Sequence, residues 1–358
     1  MSQKRPIRVL VADDSPTARE LLSAIIASDP AFALIGQAHD GQQAVQLARS
    51  LRPDVVVMDV YMPRLDGFAA TQEIMAEFPV PIVVISSSYD ARDVTLALHA
   101  LHAGALTVFR KPADPLLPEF AEQARRFLDT VRLMSDVKVV RLRRSAKEVP
   151  PPVAMPLTER GNLRSGPRVL AIATSTGGPA ALYRLLSDLP ETFSAPILVT
   201  QHTAAGFLPG LVSWLGTAGS IAVKIADDRE PILPRTLYLS PDDRHLGVSR
   251  DERIALSSEP PIRGFRPSGT FLFQSVAKTY GGDTAALILT GMGDDGVAGL
   301  HAVHAAGGVI LAESESSCAV YGMPGAAVAS GVVHVQLPLT ELGAYVATLF
   351  TGQTRARP

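Results

Sequence analysis

The chain predicts an α/β protein made of two doubly wound parallel-sheet domains joined by a linker. Short apolar strands alternate with amphipathic helices from Ile7 to about Val131, and again from Val169 onward. That order generates a parallel sheet with helices on both faces. From about Leu133 to Gly166 the alternation stops in a basic run, VKVVRLRRSAK, and a stretch rich in proline and polar residues. Such composition makes an extended, semi-rigid connection. At 358 residues the chain also exceeds the ~100–200 of an ordinary single domain. The expected boundaries are 5–130, 131–166 for the linker, and 167–350.

Composition bounds compartment and partners. Hydrophobic residues make up 47% of the chain and charged ones 19%, which suits buried cores and excludes general disorder. The net charge of −2 removes the global basic signature of nucleic-acid binding. The basic run has no interleaved aromatics, and reads as a solvated hinge or a contact for an acidic partner or the neighbouring domain. One cysteine, Cys318, excludes an internal disulfide and fits a reducing compartment. The N-terminus enters a strand without a signal-peptide layout, and no apolar run approaches the ~18 residues of a membrane span. These features predict a soluble, cytoplasmic protein without nucleic acid or membrane insertion, and a monomer is expected.

In the first domain, IRVLVA is a strand and Pro16 to Ser28 a helix that buries Leu21, Leu22, Ile25 and Ile26. Phe32 to Gln37 is a strand, Gly41 to Leu51 a helix, and DVVVMDV from Asp54 a third strand. PIVVIS ends a fourth at Ser86, Ala105 to Phe109 is a fifth, and a helix starts near Pro118. Asp13 and Asp14 follow the first strand, Asp59 ends the third, Ser86 ends the fourth and Lys111 follows the fifth. In a doubly wound sheet these ends share one edge, at the switch point. Three carboxylates gathered there repel one another unless a cation joins them, and a hard oxygen-loving ion such as Mg2+ suits them. A lysine and a hydroxyl nearby would hold phosphoryl oxygens.

This domain resembles the response-regulator receiver family, with its flavodoxin-like sheet. V-A-D-D-S at Val11 to Ser15, M-D-V-Y-M-P-R-L-D-G at Met58 to Gly67, Ser86 and Lys111-Pro112 carry the likeness. It implies that Asp59 accepts a phosphoryl group from a histidine kinase, with Asp14 and Asp59 on Mg2+ and Asp13 close by. Lys111 would pair with the phosphate and Ser86 would hydrogen-bond it. Tyr61 is bulky for its place two residues past Asp59 and is expected to shield the acyl phosphate, so that Tyr61→Glu shortens its lifetime. Val108 stands where the family often has an aromatic switch residue, and Phe109 is one place late.

The second domain opens with a buried strand, Val169 to Ala173, a Thr176-Gly177-Gly178 turn, and a helix from about Pro179. Ser175 therefore lies at the carboxyl end of a strand, ahead of free helical N–H groups. It reads either as a helix cap or phosphate loop, or as a nucleophile on a strand-to-helix turn. PILVTQH ends at His202, and a helix spans Phe207 to Leu215. Four short strands follow, Val223 to Ala226, Thr236 to Ser240, His245 to Ser249 and Arg253 to Ser257, expected as hairpins beside the main sheet. A helix from Pro267 to Tyr280 precedes the strand AALILT, the turn GMGDDG, a helix to about Ala306 and the strand GVILAE.

His202 and Asp295 join Ser175 at strand ends. A serine nucleophile needs a base, histidine is poised near neutral pH, and a carboxylate fixes its tautomer. Taken alone, His202 reads as structural and Asp295 as a helix cap. The turn GMGDDG also matches G-x-G-x-x-G, with Glu313 ending the next strand, so a Rossmann-type nucleotide site is the rival. Asp294 and Asp295 stand where its pyrophosphate would sit, and their charges oppose it. His99/His102 and His301/His304 have helical spacing but lack a third ligand.

As a whole the second domain resembles the Rossmann-like catalytic domain of CheB-type chemotaxis protein-glutamate methylesterases. A-T-S-T-G-G-P at Ala173 to Pro179, Gln201-His202, F-R-P-S at Phe265 to Ser268, L-T-G-M-G-D-D-G at Leu289 to Gly296 and V-Y-G-M-P at Val320 to Pro324 carry this resemblance. It implies Ser175 as nucleophile, His202 as base and acid, Asp295 as its partner, and N–H groups of Thr176 and Met292 as oxyanion donors, with no cofactor for the esterase. It further implies methyl-ester hydrolysis and glutamine deamidation on methyl-accepting chemoreceptors. Thr270 departs from the family's aspartate at this place. Regulation is expected from an unphosphorylated receiver covering the Ser175 mouth. Phosphate on Asp59 would reshape the contact through about one to three charge-assisted bonds. A receiver-gated hydrolase of another ester and a non-catalytic binding module are the other readings.

Overall fold

The computed structural model describes residues 5–86, 100–101, 104–112, 115–116, 118–137, 166–203 and 206–350. Most of the linker and the segment after the fourth strand lie outside them. The chain forms two compact units.

The first unit runs β1 (Ile7–Ala12), α1 (Pro16–Ala27), β2 (Phe32–Ala38), α2 (Gly41–Leu51), β3 (Val55–Asp59), α3 (Gly67–Glu77), β4 (Ile82–Ser86), β5 (Thr107–Arg110) and α4 (Phe120–Ser135). Its five strands are parallel in the order β2-β1-β3-β4-β5. The central strands are near-continuous apolar runs because helices cover both of their faces, and every residue of β3 is buried. Side-chain oxygens of Ser15, Asp40 and Asp66 accept N–H groups in the first turns of α1, α2 and α3. The strand order reverses between β1 and β3, whose register ends at Ala12 opposite Met58. Asp13 and Asp59 are therefore the next residues along on adjacent strands.

The second unit runs β6 (Val169–Thr174), α5 (Gly178–Asp188), β7 (Ile197–Gln201), α6 (Leu208–Leu215), β8 (Ala222–Ile225), β9 (Thr236–Leu239), β10 (His245–Val248) and β11 (Ile254–Ser257). It continues with α7 (Gly269–Tyr280), β12 (Thr284–Ile288), α8 (Val297–Ala305), β13 (Val309–Glu313), α9 (Met323–Ala329), β14 (Val335–Leu337) and α10 (Leu339–Phe350). Seven strands form one parallel sheet in the order β14-β13-β12-β6-β7-β9-β8.

Only half of the expected hairpin region is hairpin. β10 and β11 pair antiparallel beside the sheet, whereas β8 and β9 extend the main sheet as parallel strands. Burial explains the difference. All four residues of β9 are buried against β7, and β8 is the half-exposed edge that carries Lys224. Helix α7 seals one face of the sheet, its Leu272, Phe273, Val276 and Ala277 joining Ala171, Ala173, Leu198, Tyr238 and Ala286 in one core. Sheet order sets β6 between β7 and β12, so the residues leaving these three strands converge on one rim.

Candidate functional site

At that rim β6 ends in a turn that its neighbours hold on both sides. Ser175 N–H donates to Thr290 O at 3.1 Å, Thr174 Oγ1 donates to the same carbonyl at 2.8 Å, and Gly178 N–H donates to Ser175 O at 2.8 Å. Gly177 stands at φ +80°, and a Cβ there would lie 2.5 Å from the Ala319 Cβ. The turn requires glycine on both counts. Thr290 is the hub between the glycine-rich turns, because its Oγ1 donates to Thr176 O at 2.9 Å and accepts from Val320 N–H at 2.9 Å.

His202 leaves β7 one residue beyond Gln201. Its main-chain N–H donates to Thr174 O at 3.1 Å, closing the β6–β7 ladder. Its ring makes two contacts. Nε2 pairs with Asp295 Oδ2 at 3.0 Å, and Phe265 stacks on the face at 4.4 Å between centroids and 8° between planes. With Nε2–H donated to Asp295, the acceptor nitrogen is Nδ1, which is buried and has no partner among the described residues. Among those residues Ser175 Oγ also makes no hydrogen bond. The structure thus joins His202 to Asp295 and sets Ser175 just past the end of the adjacent strand.

Asp295 is buried and accepts from four donors: His202 Nε2, Ser268 Oγ at 2.7 Å, Gly269 N–H at 2.6 Å and Thr270 N–H at 3.2 Å. Burial pushes its carboxyl up, but the bonds from His202, Ser268 and Gly269 outweigh burial and hold it at about 2. It is an ionised acceptor at neutral pH, suited to an imidazolium. Thr270 is buried and serves the same turn, its Oγ1 accepting Gly296 N–H at 2.9 Å. The Thr270 side chain thus belongs to the packing around Asp295. Thr176 and Met292 occupy the two glycine-rich turns, half-buried, and among the described residues their main-chain N–H groups have no partner.

The nucleotide reading of GMGDDG fails on geometry. Asp295 is turned inward onto α7, Asp294 is engaged by Arg263 at 2.6 Å, and Glu313 is fully buried. Glu313 accepts Thr290 N–H and Ser317 Oγ–H, both at 2.9 Å, while burial pushes its carboxyl up. It braces the turn and offers no face to a ribose.

In the first unit Lys111 Nζ lies 2.8 Å from Asp13 Oδ2 and 2.9 Å from Asp59 Oδ1. Asp13 and Asp59 are buried, Asp14 is exposed, and one oxygen from each falls within 4.8 Å of the others. Burial pushes the Asp59 carboxyl up to about 7; Lys111 opposes this, and the nearby Asp13 and Asp14 reinforce it. An all-oxygen, clustered and anionic donor set fits a hard divalent cation such as Mg2+. Ser86 is buried at the end of β4, where its carbonyl accepts Lys111 N–H at 2.8 Å. Tyr61 is half-exposed, and Phe109 packs on Phe127 of α4 at 5.6 Å between centroids.

Sequence reasoning quoted Gln201, Phe265 and Ser268 without giving them roles, and did not find Thr290 as a hub. For Ser268 a signal existed: a serine just ahead of an amphipathic helix is a cap, and this one also reaches Asp295.

A doubly wound sheet with a clustered acidic site, joined to a parallel sheet bearing Ser, His and Asp at one rim, is the architecture of a receiver-linked α/β enzyme. The family model for CheB methylesterase matches residues 170–346, and that for the response regulator receiver domain matches residues 9–117. The chain is 50% identical over 347 residues to protein-glutamate methylesterase/protein-glutamine glutaminase 4 of Myxococcus xanthus (strain DK1622), covering 97% of this chain and 98% of that protein. It is 49% identical over 333 residues to protein-glutamate methylesterase/protein-glutamine glutaminase 3 of Anaeromyxobacter dehalogenans (strain 2CP-C), covering 92% and 95%. The crystal structure of the Thermotoga maritima CheB methylesterase catalytic domain is similar at 34% identity and a TM-score of 0.50, over 51% of this chain and 98% of that one. The chain belongs to the CheB family of protein-glutamate methylesterase/protein-glutamine glutaminases.

Proposed function

We propose that the protein hydrolyses glutamyl methyl esters on chemoreceptors, and deamidates glutamine at such positions, with Ser175, His202 and Asp295 as its catalytic triad. The observation that carries this reading is the 3.0 Å His202–Asp295 pair, beside Ser175 on the next strand end. Asp295 holds Nε2–H and leaves Nδ1 to take the Ser175 proton. Ser175 Oγ bonds to the ester carbonyl carbon, and N–H groups of Thr176 and Met292 receive the oxyanion. The tetrahedral adduct collapses, and the proton on His202 leaves with methoxide as methanol. Water then adds to the acyl group and gives its proton to His202. Ser175 departs with that proton, releasing glutamate. From glutamine the first leaving group is ammonia.

The receiver supplies control. Asp59 accepts a phosphoryl group from a histidine kinase, with Lys111 as counter-charge and Ser86 as hydrogen-bond partner. Asp13, Asp14 and Asp59 would hold Mg2+, which would neutralise charge on the transferring phosphoryl oxygens. Phosphorylation raises esterase activity.

Methanol release from methylated receptor fragments tests the reading. Ser175→Ala is expected to lower the rate by at least ~1,000-fold while leaving the thermal melt unchanged. A fully active variant would end the nucleophile assignment.

A further inference from the structure

We infer that Gln201 is a positioning residue that fixes the separation of Ser175 from His202 by holding both main-chain carbonyls on one amide nitrogen. The inference rests on the proposed triad and adds to it the device that keeps two of its members in register.

The β6–β7 ladder runs in register to Thr174 opposite Gln201, and the His202 N–H bond to Thr174 O is its last rung. Beyond it the ladder ends, and Ser175, like Ala173 before it, makes its main-chain bond on the β12 side, to Thr290 O. The side chain of Gln201 takes over there. Its Nε2 donates to Ser175 O at 2.9 Å and to His202 O at 2.8 Å, so both amide hydrogens are spent on the two residues whose side chains must meet. The network fixes the amide orientation. Turned over, Oε1 would face two carbonyl oxygens at under ~3 Å, a repulsive contact.

Two further observations show that the clamp is held tightly. Gln201 is 3% exposed, so water does not replace its bonds. Its Oε1 is buried without a partner, and a Cβ on Gly178 would lie 2.1 Å from that oxygen. The helix start is pressed against the amide, and only glycine leaves it room. An unsatisfied buried acceptor costs stability, and this one is explained by what the nitrogen does at the other end. Without the donor the two carbonyl dipoles repel across the rim. Displacing reacting groups by ~1 Å costs on the order of 100-fold in rate.

The test uses the full chain with Gln201→Met, which keeps the shape and loses the donor, and Gln201→Glu, which offers no donor when ionised and only one when protonated, so it cannot hold both carbonyls. Thr200→Val is the control for disturbing β7, since among the described residues Thr200 Oγ1 bonds only to Ser240 Oγ on the neighbouring strand end, at 3.1 Å. Two readouts apply: kcat and KM for methanol release from a methylated glutamyl peptide, and the rate at which a fluorophosphonate phosphonylates Ser175. Both Gln201 variants are expected to lose ~10- to 100-fold in kcat and in labelling rate, with KM within about twofold. Thr200→Val should keep wild-type values. Folded Gln201→Met with wild-type kcat and labelling overturns the inference. Should it fail to fold, Gln201→Glu decides by the same readouts. Failure of both to fold makes Gln201 a core residue and also overturns it. Absence of labelling in the wild type would instead sink the Ser175 reading.

Discussion

Asp295 receives four hydrogen bonds while buried, and its protonation couples the site to the stability of the fold. Its carboxyl sits at about 2 in the folded protein against a usual 3.8. The unfolded chain therefore binds the proton more tightly, and stability rises with pH across this range. The contribution is about 2 kcal/mol, complete above the unfolded value and lost as pH falls through the folded one. Urea unfolding should show the gap between wild type and Asp295→Asn narrowing by about 1 kcal/mol from pH 5 to pH 3; a constant gap would contradict it. At this scale the strand ends drew attention to Ser175, His202, Asp295, Asp13, Asp59 and Lys111, and the family resemblance supplied the roles proposed for them. Gln201 and Thr290 were not. Their roles lie in which main-chain atoms they reach, and residue type does not encode that.

The elements explain why the site is rigid. Strand-end turns place Ser175, and the turn after β6 tolerates no side chain at Gly177, where φ is +80° and Ala319 crowds the missing Cβ. Gly177→Ala is expected to cost more than the ~1–2 kcal/mol of a left-handed alanine, read as a lowered melting temperature, and to lower esterase activity with it. An unchanged melt would show the turn to be more forgiving than its geometry. Strand positions in both sheets were readable from apolar runs bounded by turns. Partner choice was not readable for β8 and β9, since four-residue strands such as AVKI and TLYL state a preference for strand without naming a neighbour. The late elements α9 and β14 are too short to be read individually, whereas α10 repeats Leu342, Val346 and Phe350 at helical spacing.

At the scale of the whole molecule, the proposed acceptor site and the proposed esterase site lie in separate compact units of one chain. The break in βα alternation revealed this arrangement, because a linker cannot bury a core. Phosphorylation is the proposed route of control, so a small phosphodonor should raise methanol release at least several-fold, and Asp59→Asn should abolish that response while keeping the basal rate. Stimulation that survives in Asp59→Asn would remove Asp59 as the acceptor. The central claim is that one hydroxyl performs the chemistry, and covalent titration tests it most directly. A fluorophosphonate should leave a single adduct, on the peptide containing Ser175, with methanol release falling in proportion to labelling. Full turnover by protein that carries the adduct would contradict the account.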